Sequence, residues 1–161
     1  MSQQAVEPKR AKEIFSAIVS NFPNVKLEYA REKRLKVSVQ PSEIKNVALF
    51  VRDRFGFDHI SMVSGVDWIA KNQFEIIYFV ETGLKPGLED FVIALSETIP
   101  RDNPSVPSLT EVWQGVDYHE REAHEMFGIN FEGHPSTKHL LLPEDWNDIP
   151  PLRKDYISPG R

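Results

Sequence analysis

The sequence of 161 residues contains no cysteine. This absence excludes disulfide bonds, thiol catalysis, cysteine-ligated zinc and cysteine-bound iron–sulfur clusters in this chain. It is also compatible with a reducing cytoplasm, where disulfides are rare. The function of the chain therefore does not depend on cysteine chemistry.

Long apolar runs are absent as well. Runs such as Val47–Val51 and Phe91–Leu95 are far shorter than the ~20 residues that a helix needs to cross a bilayer. Residues 1–15 contain no apolar signal core. The net charge of −5 argues against nucleic-acid binding. We therefore expect any membrane association to occur through a protein partner.

The sequence also lacks the common catalytic motifs. It has no GxGxxG or GxxxxGK[ST] loop, and no nucleophile in a strand-to-helix elbow. His119 and His124 are five residues apart, about 140° around a helix, whereas a zinc-protease helix needs a spacing of four. This predicts no metal ligand and no catalytic residue. A small metal-dependent enzyme built on these histidines and nearby acids is the alternative from another functional class.

What the sequence does contain is the pattern of an α+β domain. Apolar residues recur at helical spacing over residues 14–22 and again over 44–55, where Ser42 is a predicted cap and Gly56 a predicted stop. Alternating apolar residues predict strands at 25–29, 35–39, His59–Trp68, Gln73–Val80 and roughly Asp90–Glu97. This order predicts a mostly antiparallel sheet with helices packed on one face.

The C-terminal third has a different composition. Ser108–Glu111 matches a capping box and predicts a short helix. Asp117–Glu120 predicts the start of a further helix that ends at Phe127, with Gly128 as its left-handed stop. From Pro143 onward the chain is rich in proline and has no periodicity. This predicts an extended tail.

Four ordered blocks occupy the segment from Tyr118 to Tyr156. They read Glu120-Arg-Glu-x-x-Glu125-Met-Phe-Gly-Ile, Phe131-x-Gly-His134-Pro, Leu-Pro143-Glu-Asp-Trp146 and Pro-Leu152-Arg-Lys-Asp-Tyr156. In this order they closely resemble the 30 kDa subunit family (the C subunit) of respiratory complex I, the NADH:quinone oxidoreductase, and of related energy-converting complexes. The residues before position 108 agree with the family only in the order of their elements.

The resemblance implies a non-catalytic, peripheral-arm subunit of a proton-translocating NADH:quinone oxidoreductase-type complex, on the cytoplasmic face of the cell membrane. Its implied partners are the large quinone-site subunit (49 kDa type) and the small iron–sulfur subunit of the same complex. It implies no cofactor in this chain, with flavin and iron–sulfur clusters in partner subunits. The electron donor stays open between NAD(P)H, reduced F420 and ferredoxin. An equivalent subunit of a membrane-bound energy-converting hydrogenase is the alternative within the family.

The resembling blocks also predict the surface that binds the partners. The helix is expected to carry charges on one side while Ala123 and Phe127 face inward, and Arg121 is expected in an ion-pair network completed across the interface. Where the family commonly has Leu-Arg-Arg, this chain keeps one basic residue, Lys138. The predicted interface residues are Glu120, Arg121, Glu122, Glu125, Phe127, Gly128, His134, Pro135, Lys138, Pro143, Glu144, Asp145, Trp146, Leu152, Arg153, Lys154, Asp155 and Tyr156.

The predicted domain organisation has two parts. Residues 1–142 form one α+β domain, with the family signature within 108–142. Residues 143–161 form an extended partner-binding tail. The apolar and aromatic residues of this tail, including Trp146 and Tyr156, are of the types enriched at interface hot spots. We therefore expect the tail to become ordered by wrapping around another subunit.

Overall fold

The computed structural model describes residues 8–83, 85–136 and 138–158. In these ranges the helices are α1 (Lys9–Asn21), α2 (Ile44–Phe55) and α3 (Val116–Phe127). The strands are β1 (Lys26–Arg31), β2 (Arg34–Ser38), β3 (His59–Trp68), β4 (Gln73–Glu81), β5 (Val92–Pro100), β6 (Ser105–Pro107) and β7 (Asn130–Glu132). A short 3-10 turn, Ile69–Lys71, joins β3 to β4. The predictions for residues 1–7 and 159–161 lie outside the described residues.

Five strands form one sheet in the order β1-β2-β5-β4-β3. Three of the neighbouring pairs are antiparallel, and β2 and β5 pair in parallel. Strands β6 and β7 form a separate, parallel two-stranded sheet. The predicted α+β class with a mostly antiparallel sheet is confirmed. The parallel pairing could not be predicted, because alternation within a strand indicates which face is buried but not the neighbouring strand.

The hydrophobic core lies between the helices and one face of the sheet. Across the strands, Val37 of β2 pairs with Leu95 of β5, which pairs with Tyr78 of β4, and all three are fully buried. The apolar stripes of α1, α2 and α3 belong to the same core cluster. The opposite face of the sheet is polar at its centre, where the Lys36 ammonium lies 2.7 Å from the Glu75 carboxylate.

Several element boundaries differ from the predictions. Helix α2 follows Glu43, and Ser42 does not cap it. Residues 109–115 form turns instead of a short helix. The Ser108 hydroxyl accepts the Thr110 N–H at 3.2 Å, as a capping side chain does, and it also donates to Glu120 of α3. Helix α3 begins after Gly115 rather than at Asp117. Asp117, which was predicted to start α3, lies inside the helix.

The extended conformation expected after Pro143 is not confirmed. This segment is without helix or strand as far as residue 158, but it turns repeatedly. The N–H of Trp146 donates to the Pro143 carbonyl at 3.0 Å, and the N–H of Tyr156 donates to the Arg153 carbonyl at 3.1 Å. The turns direct the chain back towards the domain.

Candidate docking site

Helix α3 is the centre of the segment that carries the four sequence blocks. Its positions 116, 120, 123 and 127 recur at helical spacing and are all buried. The helix ends at Gly128, whose φ of +77° is the left-handed conformation that glycine adopts readily. The N–H of Gly128 donates to the His124 carbonyl at 2.8 Å. The predicted stop at this glycine is therefore confirmed.

Glu120 lies on the buried stripe of α3 and is fully inaccessible to solvent. Its carboxylate accepts hydrogen bonds from the Ser108 hydroxyl (2.6 Å), the Leu109 N–H (2.8 Å) and the Tyr78 hydroxyl (3.2 Å). Desolvation raises the pKa of Glu120, although these donors and His134 act in the opposite direction. Glu120 was expected to face outward. In the structure its carboxylate instead connects α3 to β4 and to residues 108–109 within the domain.

Glu97 of β5 is a second buried carboxyl on the same face of the sheet. It is 0% exposed, and neither oxygen has a hydrogen-bond partner in the described part of the chain. Burial, together with repulsion from Glu120, raises its pKa well above the ordinary value. A carboxyl group in these surroundings is stabilised in its neutral form. No sequence motif marks this residue.

Glu125 is a third buried carboxyl group, and its contacts differ from those of Glu97 and Glu120. Its carboxylate accepts the N–H of Leu140, the N–H of Leu141 at 2.9 Å and a bond with His139 Nδ1 at 3.0 Å. Desolvation favours the neutral acid, but the backbone N–H groups of residues 140–142 and the His139 side chain together lower the pKa of Glu125. This carboxylate therefore fixes the chain after residue 138 against α3, where an outward-facing charge was expected.

Arg121 reinforces the same attachment. Its guanidinium donates to the carbonyls of Lys138 (3.1 Å) and His139 (3.2 Å). The guanidinium carbon also lies 5.8 Å from the centre of the Tyr118 ring. The structure thus gives Arg121 carbonyl and ring contacts, where an ion-pair network was expected.

His134 holds the turn between β7 and residue 138. The Ser136 N–H donates to its Nδ1 at 3.1 Å, and its Nε2 lies 3.2 Å from the Asp117 carbonyl and 3.3 Å from the Asp117 carboxylate. The histidine side chain is 4% exposed. His134, predicted at the partner interface, thus stabilises a turn within the chain.

The block that ends at Tyr156 packs against its own domain. The Leu152 N–H donates to the Met126 carbonyl at 3.0 Å, and the Lys154 N–H donates to the Asp67 carboxylate at 2.8 Å. Asp67 is buried and forms an ion pair with Arg101 at 2.9 Å. These contacts hold the block against the sheet and the end of α3.

A cluster of arginines completes this attachment. Arg101 also pairs with Asp155 at 2.8 Å. The guanidinium carbons of Arg101 and Arg153 lie 5.3 and 5.5 Å from the centre of the Phe74 ring. We name Asp67, Arg101 and Asp155 the C-terminal clamp. Sequence reasoning missed Asp67 and Arg101 because they lie in the sheet region, far along the chain from the block that they hold.

The predicted interface residues divide by exposure. Glu120, Glu125 and Phe127 are buried, and Arg121, Gly128, His134, Trp146, Arg153 and Tyr156 are half-buried. The exposed members are Glu122, Pro135, Lys138, Pro143, Glu144, Asp145, Leu152, Lys154 and Asp155. Exposed large apolar side chains lie among them at Tyr118, Leu141, Ile149 and Ile157. The structure thus brings α3 and the C-terminal block together and leaves a mixed polar and apolar surface around them.

His119 and His124, the two histidines of the metal hypothesis, do not point to a common site. His124 Nδ1 lies 2.8 Å from the Ile129 carbonyl, and His119 lines a surface cavity beside Glu122. Within the described ranges, no group of three or more His, Asp or Glu side chains is arranged to hold a metal ion. Nor do these ranges include a helix that is long and apolar enough to cross a bilayer.

Known proteins similar to this chain include subunits of oxidoreductase complexes. The C subunit of the NADH-quinone oxidoreductase of Roseiflexus sp. (strain RS-1) is 42% identical over 124 residues, which are 75% of this chain and 68% of the relative. The C subunit of the F(420)H(2) dehydrogenase of Methanosarcina mazei (strain Goe1) is 33% identical over 148 residues and 91% of each chain. The likeness therefore extends over most of this sequence.

Two solved structures share the fold. One is from the membrane-bound sulfane sulfur reductase, an archaeal respiratory membrane complex, with a TM-score of 0.73 over 84% of this chain and 78% of that chain. The other is a trypsin-resistant fragment of Nqo5, with a TM-score of 0.63 over 79% of this chain and 98% of the fragment. Each is 22% identical to this chain.

The fold and the sequence relatives define the class of this protein, a subunit of an oxidoreductase complex of the respiratory type. The family model described as the respiratory-chain NADH dehydrogenase, 30 Kd subunit, matches residues 37–161. The chain belongs to this family.

Proposed function

We propose that the chain is a non-catalytic peripheral-arm subunit of a complex I-like quinone oxidoreductase. In this proposal it docks the large quinone-site subunit of a proton-translocating complex. Membership of the family over residues 37–161 is the observation that carries the proposal.

The side chains of the sequence blocks support an assembly role. Carboxylates that could act as acids or bases, Glu120 and Glu125, already accept two or three hydrogen bonds within the chain. Their bonds fix α3 and the following segment in one arrangement. Such a preformed surface reduces the entropy that is lost when a partner binds.

The proposed docking surface is the exposed part of the sequence-predicted set. It extends from Glu122 over Lys138 to the block at 152–156, with Leu141 and Ile149 as apolar neighbours. The large quinone-site subunit (49 kDa type) and the small iron–sulfur subunit are the proposed partners. Flavin and iron–sulfur clusters would lie in partner subunits, and the membrane would be reached from its cytoplasmic face through the complex.

The electron donor is assigned to another subunit. The relative with 42% identity is named for NADH, whereas the relative that matches 91% of the chain is named for reduced F420. Both names fit the same surface on this chain, since the donor would bind elsewhere in the complex. The genes next to this one would distinguish these donors from ferredoxin and from a hydrogenase-type complex.

A deletion strain tests the function directly. Membranes that lack this chain should lose quinone reduction by the physiological donor, and expression of the full chain should restore it. The purified chain alone should show no such activity. Membranes with unchanged quinone reduction would contradict the proposal.

Metal analysis separates this proposal from the metal-enzyme hypothesis. The purified chain should contain no stoichiometric metal. A nearly stoichiometric metal that is lost in a variant with both His119→Ala and His124→Ala would favour an independent metal-dependent enzyme instead.

A further inference from the structure

An open cavity of about 180 Å³ lies where β3, α3 and the C-terminal block meet. Its apolar walls come from Val63 of β3, Ala123 and Met126 of α3, and Leu152 of the C-terminal block. One water molecule takes about 30 Å³ in the liquid, so the cavity has room for a side chain. We name this cavity the α3 socket.

The wall contributed by the C-terminal block is held by the domain itself. The Leu152 N–H donates to the Met126 carbonyl, in the last turn of α3, at 3.0 Å. Two residues later, the Lys154 N–H donates to Asp67, which is 3% exposed and paired with Arg101. All walls of the α3 socket therefore come from this chain.

The polar residues that line the α3 socket are Ser64 of β3 and His119 and Glu122 of α3. His119 and Glu122 are three residues apart on α3, so they lie on neighbouring turns of one face. In the described part of the chain, neither side chain has a hydrogen-bond or ion-pair partner. An unpaired carboxylate beside apolar walls is complementary to a side chain with an aliphatic stem and a positive head, which describes lysine and arginine.

We propose that the α3 socket binds one lysine or arginine side chain of the large partner subunit. The stem packs against Met126 and Leu152, and the positive head pairs with Glu122. The charge of the chain favours such an occupant, because residues 41–161 contain twenty acidic and eleven basic side chains. This inference rests on the proposed function, since that function supplies the partner.

The test measures the affinity of the full chain for the purified large subunit of its own complex. Glu122→Gln keeps the size of the side chain and removes its charge, and should weaken binding about tenfold. Glu122→Arg places like charges together and should weaken binding further, by about a hundredfold. Raising the salt concentration should weaken the wild type more than Glu122→Gln, because screening acts on the charge pair.

Glu32→Gln is the matched control. Glu32 is an exposed acid in the turn between β1 and β2, away from the α3 socket, and the control should bind as the wild type does. Circular dichroism and thermal unfolding confirm that each variant is folded. Wild-type affinity in folded Glu122→Gln would overturn the inference and leave the proposed function intact. A wild-type chain that does not bind the large subunit would contradict both.

Discussion

Three buried carboxyl groups show how position decides chemistry in this chain. Glu97 lacks hydrogen-bond donors among the described residues, Glu120 has three, and Glu125 accepts backbone N–H groups together with a histidine. The pKa of Glu97 and of Glu120 is raised by burial, whereas the pKa of Glu125 is lowered by its donors. The sequence presents all three as ordinary acids, so only tertiary contacts distinguish them.

Replacing Glu97 by Gln should stabilise the chain in a pH-dependent way. Because the folded-state pKa of Glu97 is raised, the wild type has its full stability below the unfolded value of 4.5 and loses part of it as the pH rises towards the folded pKa. The variant lacks this loss. Its advantage in unfolding free energy should grow from near zero at pH 4.5 to about 1–3 kcal/mol at pH 8.

Urea unfolding of both proteins across this pH range measures the difference. An advantage that stays constant with pH would show that Glu97 does not titrate differently in the folded and unfolded states.

Position 65 needs glycine because the Phe127 side chain leaves no space for a Cβ atom, and not because of its backbone conformation. A Cβ atom at this position of β3 would lie 2.5 Å from the Phe127 ring of α3. Gly65→Ala should therefore push α3 from the sheet and lower the unfolding free energy by about 1–3 kcal/mol. Gly83→Ala is the control, since nothing lies within 4 Å of its added Cβ. Equal melting temperatures of the two variants would contradict the close packing.

At the scale of elements, α3 organises the chain that follows it. Its Arg121 and Glu125 side chains bind the backbone of residues 138–141, and its Met126 carbonyl accepts the N–H of Leu152. The C-terminal clamp fixes the next residues to the sheet. One helix thus determines where two non-regular segments lie.

Replacing Glu125 by Gln should release the segment after residue 138. The amide removes the charge and keeps only one acceptor oxygen, so one of the two backbone donors, Leu140 or Leu141, faces an NH2 group instead of its acceptor. The unfolding free energy should therefore fall by about 1–3 kcal/mol. Hydrogen exchange at residues 140–142 should accelerate. Glu122→Gln on the same helix is the matched control and should stay within about 0.5 kcal/mol of the wild type. Unchanged exchange in Glu125→Gln would contradict the role of this carboxylate.

Breaking the C-terminal clamp should have a larger effect. Asp67→Asn removes the charge that pairs with the Arg101 guanidinium, and loss of one member of such a buried pair costs about 3 kcal/mol. Trypsin cleavage after Arg153 and Lys154 should become faster as the block detaches. The exposed Asp53→Asn serves as the control, because its pair with Arg52 lies at the surface. A cleavage rate of Asp67→Asn equal to that of the wild type would contradict the role of the C-terminal clamp in holding the block.

The elements differ in how well the sequence predicted them. Strand β3 has the predicted bounds, and the stop at Gly128 is confirmed, because both depend on local alternation and backbone conformation. Residues 108–111 have a capping pattern, and the Thr110 N–H does bond to Ser108, but no helix follows. Local sequence rules therefore predicted a helix here that the structure does not form.

The same limit applies to the candidate docking site. The four blocks were recognised from order and residue type, and the family is confirmed over residues 37–161. The contacts that bury Glu120, and the bond between Asp67 and the C-terminal block, could not be predicted. Both join residues that are distant in the sequence. The interface itself stays a prediction, now centred on the exposed members of the set.

At the scale of the whole molecule, the proposed role is to present a preformed surface and to leave electron transfer to partner subunits. The sheet and α1 to α3 form one hydrophobic core, and the family blocks fold back on that core. The surface around α3 combines exposed acids with exposed apolar side chains such as Leu141 and Leu152. These features are consistent with a partner that is apolar and basic where it meets α3.

The most direct test of the proposed role is purification of the tagged full chain from its native membranes, followed by mass spectrometry. We expect the large quinone-site subunit and the small iron–sulfur subunit to co-purify with the chain in near-equal amounts, and to stay bound through washing. Recovery of the chain without any oxidoreductase partner would contradict an assembly role.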